Sequence, residues 1–241
     1  MSIEKLFEEL QNSSEELQSD TIWYRGHSES SFKLLPTAYR SQESFNELAL
    51  FYDYKSHVAS INGANKDDWD IILDMQHYGL PTRLLDWTSS VGTALYFALR
   101  SNPTNPCIWI IDPFELSRRS TSEATIFDTS VIVPSNPTAN KNLDLFNIMS
   151  GQSAYELPFS IQPPHGNRRI SAQRGMFTVH TGDTRSIEEQ VPEILRKVEI
   201  PVESIDLLQS YLSLMGVDDY SMFPDHYGLS EFLKKKYELI K

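Results

Sequence analysis

A chain of 241 residues, 40% of them apolar and 11% aromatic, has the material for one sizeable core. Its 21 Lys and Arg face 33 Asp and Glu, and the resulting net charge of −12 argues against a general coat for duplex DNA, which depends on neutralising phosphates. A single cysteine, Cys107, leaves no disulfide framework and no cysteine-based zinc site. No apolar run approaches the ~20 residues of a membrane span, and the acidic, amphipathic start is unlike a signal peptide. A cytoplasmic protein without a membrane partner is expected.

Ile3, Leu6, Phe7 and Leu10 recur at helical spacing and predict a helix packed on the body within residues 1–20. Thr21 to Gly26 alternates and is rich in β-formers, so a first strand should end at Arg25-Gly26, followed by a polar turn from His27 to Ser30. A helical pattern runs from Glu43 to about Ser60, with Phe45, Leu48, Ala49 and Tyr52 on one face, and Asn62-Gly63 ends it. Asp67 or Asp68 can cap the next helix, which reaches the polar group Gln76, His77 and Tyr78 and stops at Gly79 and Pro81. Leu84-Leu85 then leads into Asp86-Trp87-Thr88. Thr88 or Ser89 is the expected N-cap of a helix whose face is Val91, Ala94, Leu95 and Ala98.

Cys107 to Ile111 reads as a short buried strand closed by Asp112-Pro113. From 112 to 165 the chain is rich in Ser, Thr, Asn and Pro and predicts an irregular insertion or lid, with one β-like piece from Ile126 to Val133 and a short helix from Leu143 to Met149. Gln173 should start a strand that continues from Met176 to His180, and Val198 to Val202 is another strand candidate. Ile205, Leu208, Leu212 and Met215 mark a helix stopped by Gly216, and the tail ends as an amphipathic helix.

Several chemistries lose their sequence evidence. The histidines at 27, 57, 77, 165, 180 and 226 are scattered, without HExxH or paired-cysteine spacing, so no metal is expected. There is no GxSxG elbow, no Walker loop and no GxGxxG. Polar groups at strand ends remain. Arg25 can hold a phosphate through its planar fork or serve a structural ion pair, and Gly26 lets backbone approach a ligand. Thr88-Ser89 can cap a helix or touch a ligand. Trp87 and Tyr78 can be core aromatics or stack on a base. Asp86 needs a partner if buried, which Arg83 or Arg25 can supply. The Gln173 amide can hydrogen-bond a ribose diol.

In this order the residues resemble the FRG domain family, named for a short aromatic-Arg-Gly motif. The marks are Trp23-Tyr24-Arg25-Gly26, the run from Gln76 to Thr88, Ala94 to Ala98, Arg169-Ile170 with Gln173 to Phe177, and Phe223-Pro224-Asp225 before Gly228-Leu229. The resemblance implies a single domain over 1–241 and a divergent branch of the ADP-ribosyltransferase superfamily. Its fold would be α+β, a split, bent antiparallel sheet with surrounding helices. It also implies NAD as substrate, a macromolecular acceptor (RNA or protein), an inhibitor or antitoxin protein as partner, and a toxin-like or anti-phage role. A basic rim of Arg168, Arg169 and Arg174 would meet a nucleic-acid acceptor.

Carried over residue by residue, Arg25 would anchor the dinucleotide, Thr88 (with Ser89) would position the nicotinamide ribose, and Gln173 would orient the reacting ribose. Tyr78 or Trp87 would stack on nicotinamide, and Tyr24, Gly26, His77 and Asp86 complete the nucleotide-contacting set. Gln173 stands where such enzymes usually place Glu. A non-catalytic nucleotide-binding module and an NAD glycohydrolase are the alternatives.

Overall fold

The computed structural model describes residues 2–40, 45–62, 66–132, 140–164 and 166–239; Glu43, Gly63, Val133 and His165 of the predicted elements lie outside the described residues. Helix α1 (Ile3–Glu15) is capped by Ser2 and buries Leu6 and Leu10. Strand β1 (Trp23–His27) precedes α2 (Glu47–Asn62) and α3 (Asp68–His77). Asp67 accepts the Asp70 N–H to start α3, and Gly79 adopts the left-handed φ of +79° just past its end. Strand β2 (Leu84–Thr88) feeds α4 (Val91–Leu99). The cap of α4 is Ser90, which accepts the Thr93 N–H; Thr88 still belongs to the strand, so the cap lies one or two residues beyond the predicted Thr88 or Ser89.

Strand β3 (Cys107–Ile111) is buried as expected. Asp112 and Pro113 do more than close it. The Asp112 carboxylate accepts the N–H groups of Phe114 and Glu115, and Pro113 occupies the first turn, which starts α5 (Pro113–Thr121). Next come β4 (Phe127–Asp128), a 3-10 turn at Lys141–Leu143, α6 (Leu145–Met149) and β5 (Phe159–Gln162). The segment 112–165 is therefore not an irregular insertion: it supplies two strands of the sheet, and Phe159 and Ile161 of β5 are fully buried. Polar composition hid this because the burying residues are few and spaced apart.

Helix α7 (Arg168–Gln173) ends with Arg174 in the left-handed region, and β6 (Gly175–Val179) follows, so Gln173 closes a helix and does not open a strand. The chain finishes with α8 (Ile187–Gln190), β7 (Leu195–Glu199), α9 (Ile205–Leu214), α10 (Asp219–Met222) and α11 (His226–Lys236).

The fold is α+β, with one seven-stranded sheet in the order β4-β5-β6-β2-β1-β3-β7. All pairings are antiparallel except the parallel pair β4·β5, so the sheet is mixed, against the expectation of a purely antiparallel one. Between β1 and β2 only Tyr24 and Thr88 are in register, whereas β1 pairs β3, and β2 pairs β6, over five positions each. That single rung is a seam between two ladders.

Three clusters of buried side chains cover the sheet. One holds Phe51, Trp69 and Ile72 of α2 and α3 against Phe159, Ile161 and Phe177. Among the described side chains of α2, Phe51 and Val58 are buried; Phe45 and Tyr52 of the predicted face are exposed. A second packs α1, α4 and α9 on β3 and β7. The third joins Trp23, Leu85 and Trp87 to Leu116, Ile187 and Leu195. Each fully buried Leu or Ile contributes roughly 1.5–3 kcal/mol.

Candidate functional site

Backbone spacing at the seam decides the site. Past the Tyr24–Thr88 rung no further rung joins β1 to β2, and a side chain takes the place of the ladder: Arg25 Nη1 donates to the Asp86 carbonyl at 2.6 Å. Arg25 Nε donates to His27 Nε2 at 3.0 Å, two residues along on the same strand face. The Asp86 carboxylate lies 3.6 Å from Arg25 Nη1 and accepts from Gln76 Nε2 at 2.8 Å; the Gln76 carbonyl in turn accepts from the Thr82 hydroxyl. The Arg25 side chain is 17% exposed and that of Asp86 55%.

Burial lowers the Arg25 pKa to about 10, with Asp86 pulling the other way, so the guanidinium stays charged at neutral pH. Burial, reinforced by Arg25 and Arg40, lowers His27 to about 3. His27 is therefore a neutral acceptor for the Arg25 Nε–H. Arg83, the other predicted partner of Asp86, is committed elsewhere: its guanidinium is buried against Glu47 at 2.6 Å.

A cavity of about 620 Å³ opens at this seam, within the size range of small-ligand sites. Arg25, Thr88 and Gln173, brought from three distant segments, all line it, together with Tyr24, Gly26, Asp86 and Trp87. Arg25, Lys33, Arg40 and Arg169 face one carboxylate, Asp86, among the described lining residues, which inverts locally the acidity of the chain. Such a wall suits an anion. Lys33 is partly neutralised by Glu189 at 2.6 Å, and Arg40 Nε donates to the Leu35 carbonyl.

The polar groups have definite employments. The Thr88 hydroxyl donates to the Gln173 carbonyl at 2.7 Å and accepts the Ser90 N–H at 3.0 Å, so it ties β2 to the end of α7 and supports the turn into α4. The Gln173 amide donates to the Met222 carbonyl at 3.0 Å. Tyr24 contributes to the wall while its hydroxyl meets Ser14 of α1 at 3.2 Å. Gly26 is demanded by packing: a Cβ there would fall 2.7 Å from the Ala98 nitrogen and closer still to the Ala94 carbonyl oxygen. Helix α4 crosses β1 directly at this glycine, so the reason for it is the helix, whatever the ligand.

The remaining residues named from the sequence are placed as follows. Trp87 is 3% exposed and its Nε1–H donates to Thr178 Oγ1 at 3.1 Å, so it is a core aromatic with an edge on the cavity. His77 and Tyr78 lie outside the cavity and line a neighbouring groove. Ser89 lines neither; its backbone N–H donates to the Arg174 carbonyl. Arg174 is likewise absent from both walls, because its left-handed conformation turns the chain into β6.

Residues not singled out beforehand complete the site. Phe32, Lys33, Tyr39 and Arg40 come from the loop after β1, and Phe97 from α4. For the loop residues the one sequence signal was closeness to Arg25-Gly26, while Phe97 lay inside the Ala94 to Ala98 run quoted for the resemblance. Arg169, noted for a basic rim and in the Arg169-Ile170 mark, is a cation of the cleft held from two sides. Its Nη1 donates to the His77 carbonyl at 2.9 Å, and its guanidinium stacks 4.5 Å from the Phe223 ring centre. Arg100 stacks on the same ring at 4.3 Å. The Met222-Phe223 segment thus holds both α7 residues of the cleft, one through a carbonyl and one through a ring.

No curated protein and no solved structure matches this chain. Residues 20–106, from just ahead of β1 to the residue before β3, match the family model of the FRG domain. That segment carries Arg25, Gln76, Asp86 and Thr88, and over it the chain is similar to the FRG domain.

Proposed function

We propose that the cleft binds NAD and that the protein transfers ADP-ribose from it to a macromolecular acceptor. The observation that carries this reading is the convergence of Arg25, Asp86, Thr88 and Gln173 on one cation-rich cavity of about 620 Å³. The pyrophosphate would meet the guanidiniums of Arg25 and Arg169. Phe32, Tyr39 or Phe97 would take the stacking role, since Tyr78 lies outside the cavity and Trp87 is bound into the core.

The chemistry asks little of acids and bases. The bond from the nicotinamide-ribose C1′ to the ring nitrogen breaks, and nicotinamide leaves neutral with the bonding pair. The acceptor's oxygen or nitrogen then bonds to C1′ and releases its proton. What lowers the barrier is negative charge beside the developing oxocarbenium ion. Gln173 has none to give. Asp86, held by Gln76 and set against Arg25, is the carboxylate of the cavity wall and takes that role.

Labelled NAD incubated with RNA and protein tests the reading. Transfer by the wild type, loss of ~10²–10³ in kcat for Asp86→Asn with NAD binding retained, and loss of binding in Arg25→Ala are expected. Absence of NAD binding and of nicotinamide release in the wild type sinks it. A second reading, a nucleotide-binding module without turnover, is favoured by one observation: the Thr88 O–H and the Gln173 amide are both donated to protein carbonyls. It predicts saturable NAD binding by calorimetry with no nicotinamide released.

A further inference from the structure

The cleft does not end at Arg169. That residue also lines a groove of about 510 Å³, which runs between the end of α3, the start of α7 and the α10–α11 corner. We propose that this groove binds single-stranded RNA and leads the strand to the cleft. Its role as the acceptor site rests on the NAD reading; the binding itself does not.

Three independent features of the groove point to this ligand. Tyr78 and Tyr220 line it while 72% and 49% exposed, so two aromatic faces are open at the groove for unstacked bases. Arg168 and Arg169 supply guanidinium groups for phosphates, and Arg169 is already oriented by the His77 carbonyl and the Phe223 ring. The groove's one carboxylate among the described lining residues, Asp225, accepts the Gly228 N–H at 2.9 Å as the cap of α11. In a chain of net charge −12, cleft and groove together gather Arg25, Lys33, Arg40, Arg168 and Arg169 against Asp86 and Asp225.

A peptide acceptor is the poorer fit, because Pro224 and Leu229 are the only aliphatic residues among the described lining of the groove and offer little to an apolar anchor. A duplex is poorer still. The acidic remainder of the surface repels a long phosphate array, whereas a short, unstacked strand presents bases to the tyrosines and few phosphates to the arginines.

Fluorescence anisotropy with an end-labelled, mixed-sequence RNA octamer, without NAD, tests the proposal on the full chain. The wild type should bind the single strand saturably at low salt, and the matched duplex more weakly. Tyr78→Ala combined with Tyr220→Ala should weaken binding roughly tenfold or more, the scale of lost base stacking. Arg168→Glu should weaken it similarly and reduce the log–log salt slope by about 0.7 for the phosphate contact removed. Calorimetric NAD affinity should be unchanged in these variants, whose altered side chains are exposed, and this also checks that they fold.

No saturable binding of the octamer, equal binding by wild type and variants, or tighter binding of the duplex overturns the proposal. So does ADP-ribose transfer to protein with no affinity for the octamer. RNA binding without NAD binding sinks the NAD reading and leaves the groove; NAD binding without RNA binding does the reverse.

Discussion

The two edges of β1 are treated differently. Toward β3 the strand makes five registered pairs, from Trp23–Ile111 to His27–Cys107, and its backbone is fully used. Toward β2 it makes one, Tyr24–Thr88, and then a guanidinium stands in for the ladder. The closed edge is apolar and dry, with Ile108, Ile110 and Ile111 completely buried. The open edge carries the cations, the space and Asp86, the one carboxylate among the described lining residues. A sheet that stops pairing must satisfy its backbone some other way, and side chains recruited for that purpose are also the ones a ligand can reach.

Acid breaks both sides of this contrast at once and should have the largest effect. His27 on β1 and His180 just past β6 are both held near a pKa of about 3 by burial, with neighbouring arginines adding to it, against an ordinary 6.5. Between those values the unfolded chain takes up protons that the fold refuses. Stability is therefore whole above about pH 6.5 and declines as the pH falls toward 3. At ~1.4 kcal/mol per pH unit for each histidine, two units remove up to about 5 kcal/mol. Urea unfolding between pH 7 and 4.5 measures this, and a flat profile would contradict the burial of both imidazoles.

Gly26→Ala attacks the packing of α4 on β1 beside the cavity. The new methyl group collides with the backbone of α4, so a loss of about 3 kcal/mol or more is expected in thermal unfolding. Gly79→Ala sharpens the point: nothing lies within 4 Å of a Cβ there, so the cost is that of its positive φ, about 1 kcal/mol.

Arg25→Met attacks the open edge. Its partner Asp86 is half exposed, so stability should change by only about 1 kcal/mol, whereas the proposed NAD binding, followed by calorimetry, should weaken about a hundredfold. The reverse, a collapsed melting temperature with intact affinity, would make Arg25 a structural residue. Gln173→Ala should give the smallest change, about 1 kcal/mol in thermal unfolding, for one neutral hydrogen bond to Met222.

Much of this was legible from residue order. Helical spacing located α1, α9 and α11, Asp67 and Gly79 bounded α3, and the apolar run at Cys107 to Ile111 was a strand because it is short, β-branched and closed by Asp-Pro. These are local effects, decided by propensity, capping and the side-chain period within about ten residues. The grouping of Arg25, Thr88 and Gln173 came from the resemblance; the three residues share the cavity wall, but the resemblance did not show the bonds that Thr88 and Gln173 make there.

What the amino-acid order determined by itself is therefore the inventory: most elements, the acidic balance, and which segments carry unusual polar groups. Tertiary structure alone decided the employment of those groups. The Thr88 hydroxyl was taken by a carbonyl 85 positions away, Arg83 by Glu47, the Trp87 indole by Thr178, and the Arg169 guanidinium by the Phe223 ring. A buried polar atom must pair with whatever the fold brings within about 3 Å, and no local pattern encodes that partner.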